Sequence, residues 1–171
     1  MMVPRIISGK HFFLDANRVN ARCNLSAMNQ LEEWHANGAI SLKFPEHAQS
    51  EAESGLDARR TRKARRYLIP QAYVTTEDER KLLSKIERTI FGDAPLSKQD
   101  KNDALIVFTA KKYFAILVTD DRKVLRAAGQ LHQRVGVEIM TDEGAMKLCR
   151  KLILQRDRAA RTCEAPRQPA A

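Results

Sequence analysis

The chain is 171 residues long, 43% apolar and 30% charged, with a formal charge of +9. This length and composition support a single soluble, globular domain with a layered core of helices and sheet. No apolar run approaches the roughly 20 residues of a membrane helix, and the short "HFFL" lacks the flanks and cleavage site of a signal peptide, so the expectation is a cytoplasmic protein with no membrane partner.

The excess of Lys and Arg concentrates polyanions near the surface and speeds their encounter, which makes nucleic acid the first partner to consider. Cys23, Cys149 and Cys163 are odd in number and widely spaced. They form neither a disulfide framework nor a thiolate metal site and read as reduced thiols, two packed and Cys163 in a loose tail.

In chain order, "KHFFLD" is a short apolar strand ending in an acid. "NLSAMNQLEEWHANG" follows as a helix, with Leu25, Met28, Leu31 and Trp34 at helical spacing and Gly38 as its stop. "AISLKF" alternates as a strand does, and "PEHAQSEAES" opens with Pro45, which the first turn of a helix tolerates. "LDARRTRKARRYLIPQAY" is densely basic and broken by Pro70.

Thr76 with Glu79 forms a capping box before a helix whose buried face is Leu82, Leu83, Ile86 and Ile90, ended by Gly92 and Pro95. Ser97 with Asp100 repeats that signal before "KNDALIVFTAKKY". The run Ala104 to Phe108 fits a buried strand as well as a helix, and the cap and length favour the helix. "FAILV" is a strand, "DRKVLRAAGQLHQRVG" a helix ending near Gly136, "VEIM" a strand and "DEGAMKLCRKLILQ" the last helix.

Strands alternating with helices imply parallel pairing through right-handed crossovers, hence an α/β fold with a central, mostly parallel sheet of about four strands and helices on both faces. The expected domain spans 1–155 with 56–96 as a basic, helical insertion, and 156–171 reads as a disordered tail.

Sites in such sheets collect at the strands' C-terminal ends. Asp15 ends the first strand, Asp120 and Asp121 follow "FAILV", Glu51 lies about two turns into the helix after the second strand, and Asp103 lies in the first turns of the helix before "FAILV". Clustered carboxylates repel unless a cation neutralises them, and oxygen-only donors suit Mg2+ or Mn2+. Acids beside a basic surface point to metal-assisted phosphodiester hydrolysis. Each acid also has a structural reading: Asp15 accepts backbone N–H groups in a strand-to-helix turn, Asp120 or Asp121 caps a helix, and Asp100 belongs first to its capping box.

Four segments in register resemble the PIN-domain nucleases: "FFLDAN" their opening strand and acid-x-Asn, "PEHAQSEA" their second-strand-to-helix segment with its Glu, "DALIVFTA" their third-acid helix, and "LVTDD" their Thr-x-Asp turn. The resemblance covers roughly residues 10 to 145 and implies a three-layer α/β/α fold. It implies a divalent-metal-dependent ribonuclease acting on single-stranded or structured RNA, with Asp15, Glu51, Asp103 and Asp121 as catalytic acids. Of these, Asp15, Asp103 and Asp121 would bind Mg2+ or Mn2+, with Asn17 and Thr119 as supporting polar residues. Asp120 stands where the family often has Asn and reads as a turn or capping residue.

The chain departs from the family at Arg18, where an apolar residue is usual, and in the length of 56–96, which exceeds that of the compact VapC-type toxins. The resemblance further implies a toxin partnered by an antitoxin protein, and a homodimer. The alternative is a catalytically silent PIN-like module that binds RNA or a protein.

Arg59, Arg60, Arg62, Lys63, Arg65 and Arg66 form the densest positive stretch, read either as an RNA track with Tyr67 and Tyr73 stacking on bases or as a solvated helix face. His35, His47 and His132 show no ligand spacing; His11 lies on the first strand close to Asp15, and no histidine is expected to be catalytic. A haloacid-dehalogenase-like phosphatase would want a second Asp two residues after Asp15, where Asn17 stands. A receiver-type phosphoacceptor would want a late-strand Lys that "VEIMTDE" lacks.

Overall fold

A computed structural model of the chain describes residues 10–19, 22–46, 59, 62, 65, 68, 69 and 72–164, with side chains through 161. The strands are β1 (His11–Leu14), β2 (Ser41–Pro45), β3 (Leu68–Ile69), β4 (Ile116–Val118) and β5 (Glu138–Met140). The helices described over their whole length are α1 (Ser26–Ala36), α2 (Glu77–Phe91), α3 (Lys98–Lys112), α4 (Arg122–Val135) and α5 (Asp142–Glu164), with a short 3-10 turn at Ala16–Arg18; Glu46, Arg59, Arg62 and Arg65 are helical as well.

All neighbouring strands pair in parallel, in the order β3-β2-β1-β4-β5. The expected α/β sheet is therefore present, with a fifth strand that the sequence did not signal. β3 is two residues long and sits at the edge beside β2, too short for any alternation to register.

The connection through α1 carries the chain from β1 to one side, and the connection through α4 carries it from β4 to the other. Right-handed crossovers running in opposite directions put their helices on opposite faces. The contacts agree: α1 packs with α5, whereas α2 packs with both α3 and α4. Three layers result, and the strand order reverses between β1 and β4.

The core lies between these layers. Phe12, Phe44, Phe108, Met28, Leu31, Leu42 and Ile86 are all buried almost completely. In α3 every residue from Ile106 to Ala110 is buried, so the helix shows no simple one-sided pattern. That explains why "ALIVF" fits a strand and a helix equally well.

Both capping boxes form: the Thr76 hydroxyl accepts the Glu79 N–H at 3.2 Å and the Ser97 hydroxyl accepts the Asp100 N–H at 3.1 Å, with each acid reaching back to its cap. Gly136 closes α4 at φ 70°, where its N–H reaches the carbonyls of Leu131 and His132. A side chain there would be strained by that φ and would press on Lys111 Nζ at 3.2 Å.

Three expectations are corrected. Pro45 ends β2, and the helix expected to open with it begins one residue later, at Glu46. α5 runs through Glu164, past the expected end near 155, because "RDRAARTCE" is rich in Ala and Arg, which favour helix, and the preceding turns supply the nucleus. Cys23 is exposed, while Cys149 is buried in α5 and its thiol is pushed up to about 12 by burial. The Cys163 side chain lies outside the described residues.

Phe108→Ala is expected to cost about 3–5 kcal/mol, as for other buried aromatics, and Ser97→Ala about 1 kcal/mol through loss of the cap. Urea denaturation followed by circular dichroism measures both. Equal, small losses would contradict the packing described for α3.

Candidate functional site at the sheet's C-terminal edge

Where strand order reverses, the loops leaving the two central strands part and open a crevice at their C-terminal ends. Asp15 leaves β1 and Thr119 leaves β4 at this point. The ladder continues one residue beyond each strand: the Asp15 N–H donates to the Val118 carbonyl and the Thr119 N–H to the Met140 carbonyl, both at 3.0 Å. Both side chains are thus fixed by backbone register.

Asp15 is buried, and its carboxylate has several donors. Oδ1 accepts the Ala16 N–H at 2.6 Å, while Oδ2 accepts the Thr119 hydroxyl at 2.6 Å and the Asn17 side-chain amide at 2.9 Å. Thr119 Oγ1 in turn accepts the Asp121 N–H at 2.9 Å. Asn17 Oδ1 accepts the Asp120 N–H at 3.3 Å. Asp15, Asn17, Thr119 and the Asp120–Asp121 turn therefore form one hydrogen-bonded unit, in which Asn17 and Thr119 each hydrogen-bond Asp15 Oδ2.

Asp121 caps α4: its Oδ1 accepts the N–H groups of Lys123 and Val124 at 2.7 and 3.0 Å. The cap is thus Asp121 and not Asp120. The exposed Asp120 carboxylate instead meets Arg18 at 3.2 Å. The Arg18 guanidinium also reaches the buried Asp142 at the start of α5, at 3.4 Å, and its Nε donates to Asn17 Oδ1 at 3.1 Å. Only 11% of the Arg18 side chain is exposed, so its fork ties three strand ends together.

On the other side, Asp103 lies in the second turn of α3, its carboxylate accepting the Gln99 amide at 3.2 Å. Lys123 Nζ bridges to Asp100 Oδ1 at 2.9 Å and lies 5.5 Å from the Phe91 ring centre. This contact raises the Lys123 ammonium's pKa, with Asp121 and Asp103 adding to the effect. The same ammonium, with the Ser97 hydroxyl and N–H, holds Asp100 down to about 2. Asp100, Asp103 and Asp121 thus share the field of one lysine.

The oxygen-only donors have the chemistry a hard divalent cation prefers. Among the described residues, however, no group of three His, Cys, Asp or Glu side chains is placed to hold an ion. The described charge balance comes from Arg18 and Lys123. Glu51, Arg60, Lys63 and Arg66 lie outside the described residues, while Arg59, Arg62 and Arg65 are helical and exposed.

The histidines stand away from this chemistry. His11 opens β1 at the opposite end of the strand from Asp15, which corrects its expected closeness. His35 Nδ1 lies 3.2 Å from the Ile40 carbonyl and 3.3 Å from the Leu42 amide nitrogen, a backbone-satisfying role. His132 is exposed in the last turn of α4, and His47 lies outside the described residues.

The sequence reading missed Lys123 and Asp142. "TDE" after β5 repeats the "TDD" after β4, and the Thr141 hydroxyl accepts the Gly144 N–H at 3.1 Å as a helix start would require. That repetition was the available signal for Asp142. Lys123 carried none, since its partner Asp100 is 23 residues away.

No family model matches the chain, and no curated protein matches it. Among solved structures it is similar to VapBC2 from Rickettsia felis bound to a DNA fragment from their promoter, at 13% identity and a TM-score of 0.49, over 77% of this chain and 98% of that one. It is also similar to FitAB bound to an IR36 DNA fragment, at 12% identity and a TM-score of 0.45, over 77% of this chain and 94% of that one. The fold assignment rests on the parallel strand order and the two helical layers. No helix among the described residues is long and apolar enough to cross a membrane.

A carboxylate held below its unfolded value of about 3.9 stabilises the fold above that pH, and the contribution vanishes as pH falls towards the folded value. For Asp100 that window runs from about 4 down to about 2. Asp100→Asn is therefore expected to lower stability at pH 6 and to flatten its fall across this window, read by urea midpoints at a series of pH values. An unchanged slope would mean that the bridge to Lys123 has no weight in solution.

Proposed function

We propose that the chain is a ribonuclease that hydrolyses phosphodiester bonds of RNA at the C-terminal edge of the sheet. The observation that supports this most is the 2.6 Å hydrogen bond from Thr119 to the buried Asp15 at the reversal of strand order. A buried carboxylate held this rigidly at a crevice is a preorganised charge, the property from which electrostatic catalysis draws most.

The chain's own residues have separable tasks in this reading. Asp15 is the fixed central charge, and Thr119 and Asn17 orient its Oδ2. Asp121 caps α4 through Oδ1, which leaves its second oxygen outside the cap. Arg18 holds the Asp120 and Asp142 charges together, and Lys123 pairs with Asp100 within the field of Asp103 and Asp121. The proposed cofactor is Mg2+ or Mn2+, held by Asp15, Asp103 and Asp121 with Glu51 contributing. Such an ion, when bound, supplies an activated water and offsets charge on the scissile phosphate.

By the PIN-domain resemblance, the proposal extends to a toxin partnered by an antitoxin protein, in a homodimer. One observation favours a second reading, a PIN-like module that binds RNA or protein without cutting. Among the described residues Asp100, Asp120 and Asp142 already have lysine or arginine partners, and no three acids are gathered for an ion.

One assay separates these readings: the full chain with a mixed single-stranded RNA pool, with Mn2+ or with EDTA, beside Asp15→Asn and Asp103→Asn. Ribonuclease activity predicts cleavage only with metal and a loss of at least about 100-fold in each variant, the order found on removing a preorganised charge-stabilising group. Cleavage that persists in EDTA, or survives both substitutions, sinks the metal-nuclease reading. Binding without cleavage under either condition selects the second.

A further inference from the structure

The outer face of α2 carries charge that the proposed catalytic edge does not use. Its inner face packs Ile86 fully into the core, with Leu82, Leu83 and Ile90 partly buried against it. The opposite face borders a groove of about 400 Å³ beside the end of α4, where Arg80, Lys81, Lys85, Arg88 and Arg134 converge. Their side chains project from positions about one turn apart, since three or four residues advance a helix by about 5–6 Å.

The acids nearby leave this groove positive. Glu77 lies within it and pairs with Arg80 at 2.9 Å, while Asp78 and Asp93 meet Lys81 and Arg88 only at 4.0 and 3.8 Å. All six of these side chains are more than 60% exposed, so water screens the pairs and they hold little of the cations' charge. Lys85 Nζ donates to the Arg134 carbonyl at 2.8 Å, which anchors its stem without neutralising it.

The lining also says what kind of polyanion fits. Ser84 and Thr89 add hydroxyls, and among the described residues no apolar side chain lines the groove. A docked protein segment would need an apolar centre to bury. A phosphodiester backbone needs none: three arginine forks, two ammonium groups and hydroxyl donors match phosphate oxygens. Among the described residues the lining has no aromatic side chain on which bases would stack.

The helix that carries the groove runs on to the acidic edge. α2 ends at Phe91, and the ring of Phe91 lies under Lys123, which bridges to Asp100.

We propose that the groove between α2 and the end of α4 binds the phosphodiester backbone of a single RNA strand, without base preference, and leads it towards the C-terminal edge of the sheet. This binding does not depend on cleavage and is measurable without metal.

The test is fluorescence anisotropy of a labelled single-stranded RNA of about a dozen nucleotides with the full chain in EDTA, from about 50 to 200 mM salt. The groove variant combines Lys81→Gln, Lys85→Gln and Arg88→Gln. The control combines Lys147→Gln, Arg150→Gln and Lys151→Gln, which removes the same charge from exposed positions on α5. All six positions are exposed, and a thermal melt checks that both variants fold.

The expected result is that the groove variant flattens the log–log salt slope by about 2, at roughly 0.7 per phosphate contact on a single strand, and weakens binding about tenfold or more. The control keeps the original slope, and homopolymers of different bases bind alike. Equal losses in both variants would reduce the effect to diffuse net charge and overturn the assignment. So would an effect of Arg59→Gln, Arg62→Gln and Arg65→Gln together where the groove variant has none. Displacement of the RNA by polyglutamate as readily as by unlabelled RNA would assign the groove to an acidic protein instead.

Discussion

Parallel pairing of β1 with β4 is the constraint on which the rest of the molecule depends. It sets Leu14 against Val118 and so brings Asp15 and Thr119 to one place from 104 residues apart. The pairing is held by the core beneath it, where Phe12, Phe13, Ile116 and Leu117 are all buried. A shift by one residue would turn each of these side chains to the other face, so the register is strongly specified. Crossovers leaving this pair in opposite directions then place α1 and α4 on opposite faces and open the crevice between them.

The edge built on this pairing is acidic, with two cations placed among its carboxylates. Arg18 joins Asp120, Asp142 and Asn17 from three strand ends. A nearly buried guanidinium with two carboxylate partners and a fixed fork rigidifies the loops it joins, because its planar donors allow few alternative geometries. Lys123 is different in kind. Its side chain is 61% exposed, so water competes for its ammonium and its hold on the acids is weaker than that of Arg18.

Much of this organisation was legible along the chain. Thr76 with Glu79, Ser97 with Asp100, and Gly136 mark helix boundaries by local backbone chemistry, and each marks one in the structure. Asp15 and Asp121 were legible as acids closing apolar strands. Less was legible where packing overrides local pattern: Pro45 in a strand, the two residues of β3, and an α3 buried over so many consecutive residues that its period is lost. The charge in the groove beside α2 was present in the sequence as Arg80, Lys81, Lys85 and Arg88, but the denser run from Arg59 to Arg66 outweighed it. Only the approach of Arg134 from α4 turns that helix face into a groove.

The sequence by itself determined the kinds of element, most of their boundaries and which acids stand at strand ends, because caps, periodicity and turn residues act over a few positions. The tertiary structure decided which ends meet. The bond from Thr119 to Asp15, the fork of Arg18 on Asp142 across 124 residues, and the bridge from Lys123 to Asp100 all depend on strand order and helix packing. Those are settled by burying the whole core at once, and no local stretch of sequence carries that information.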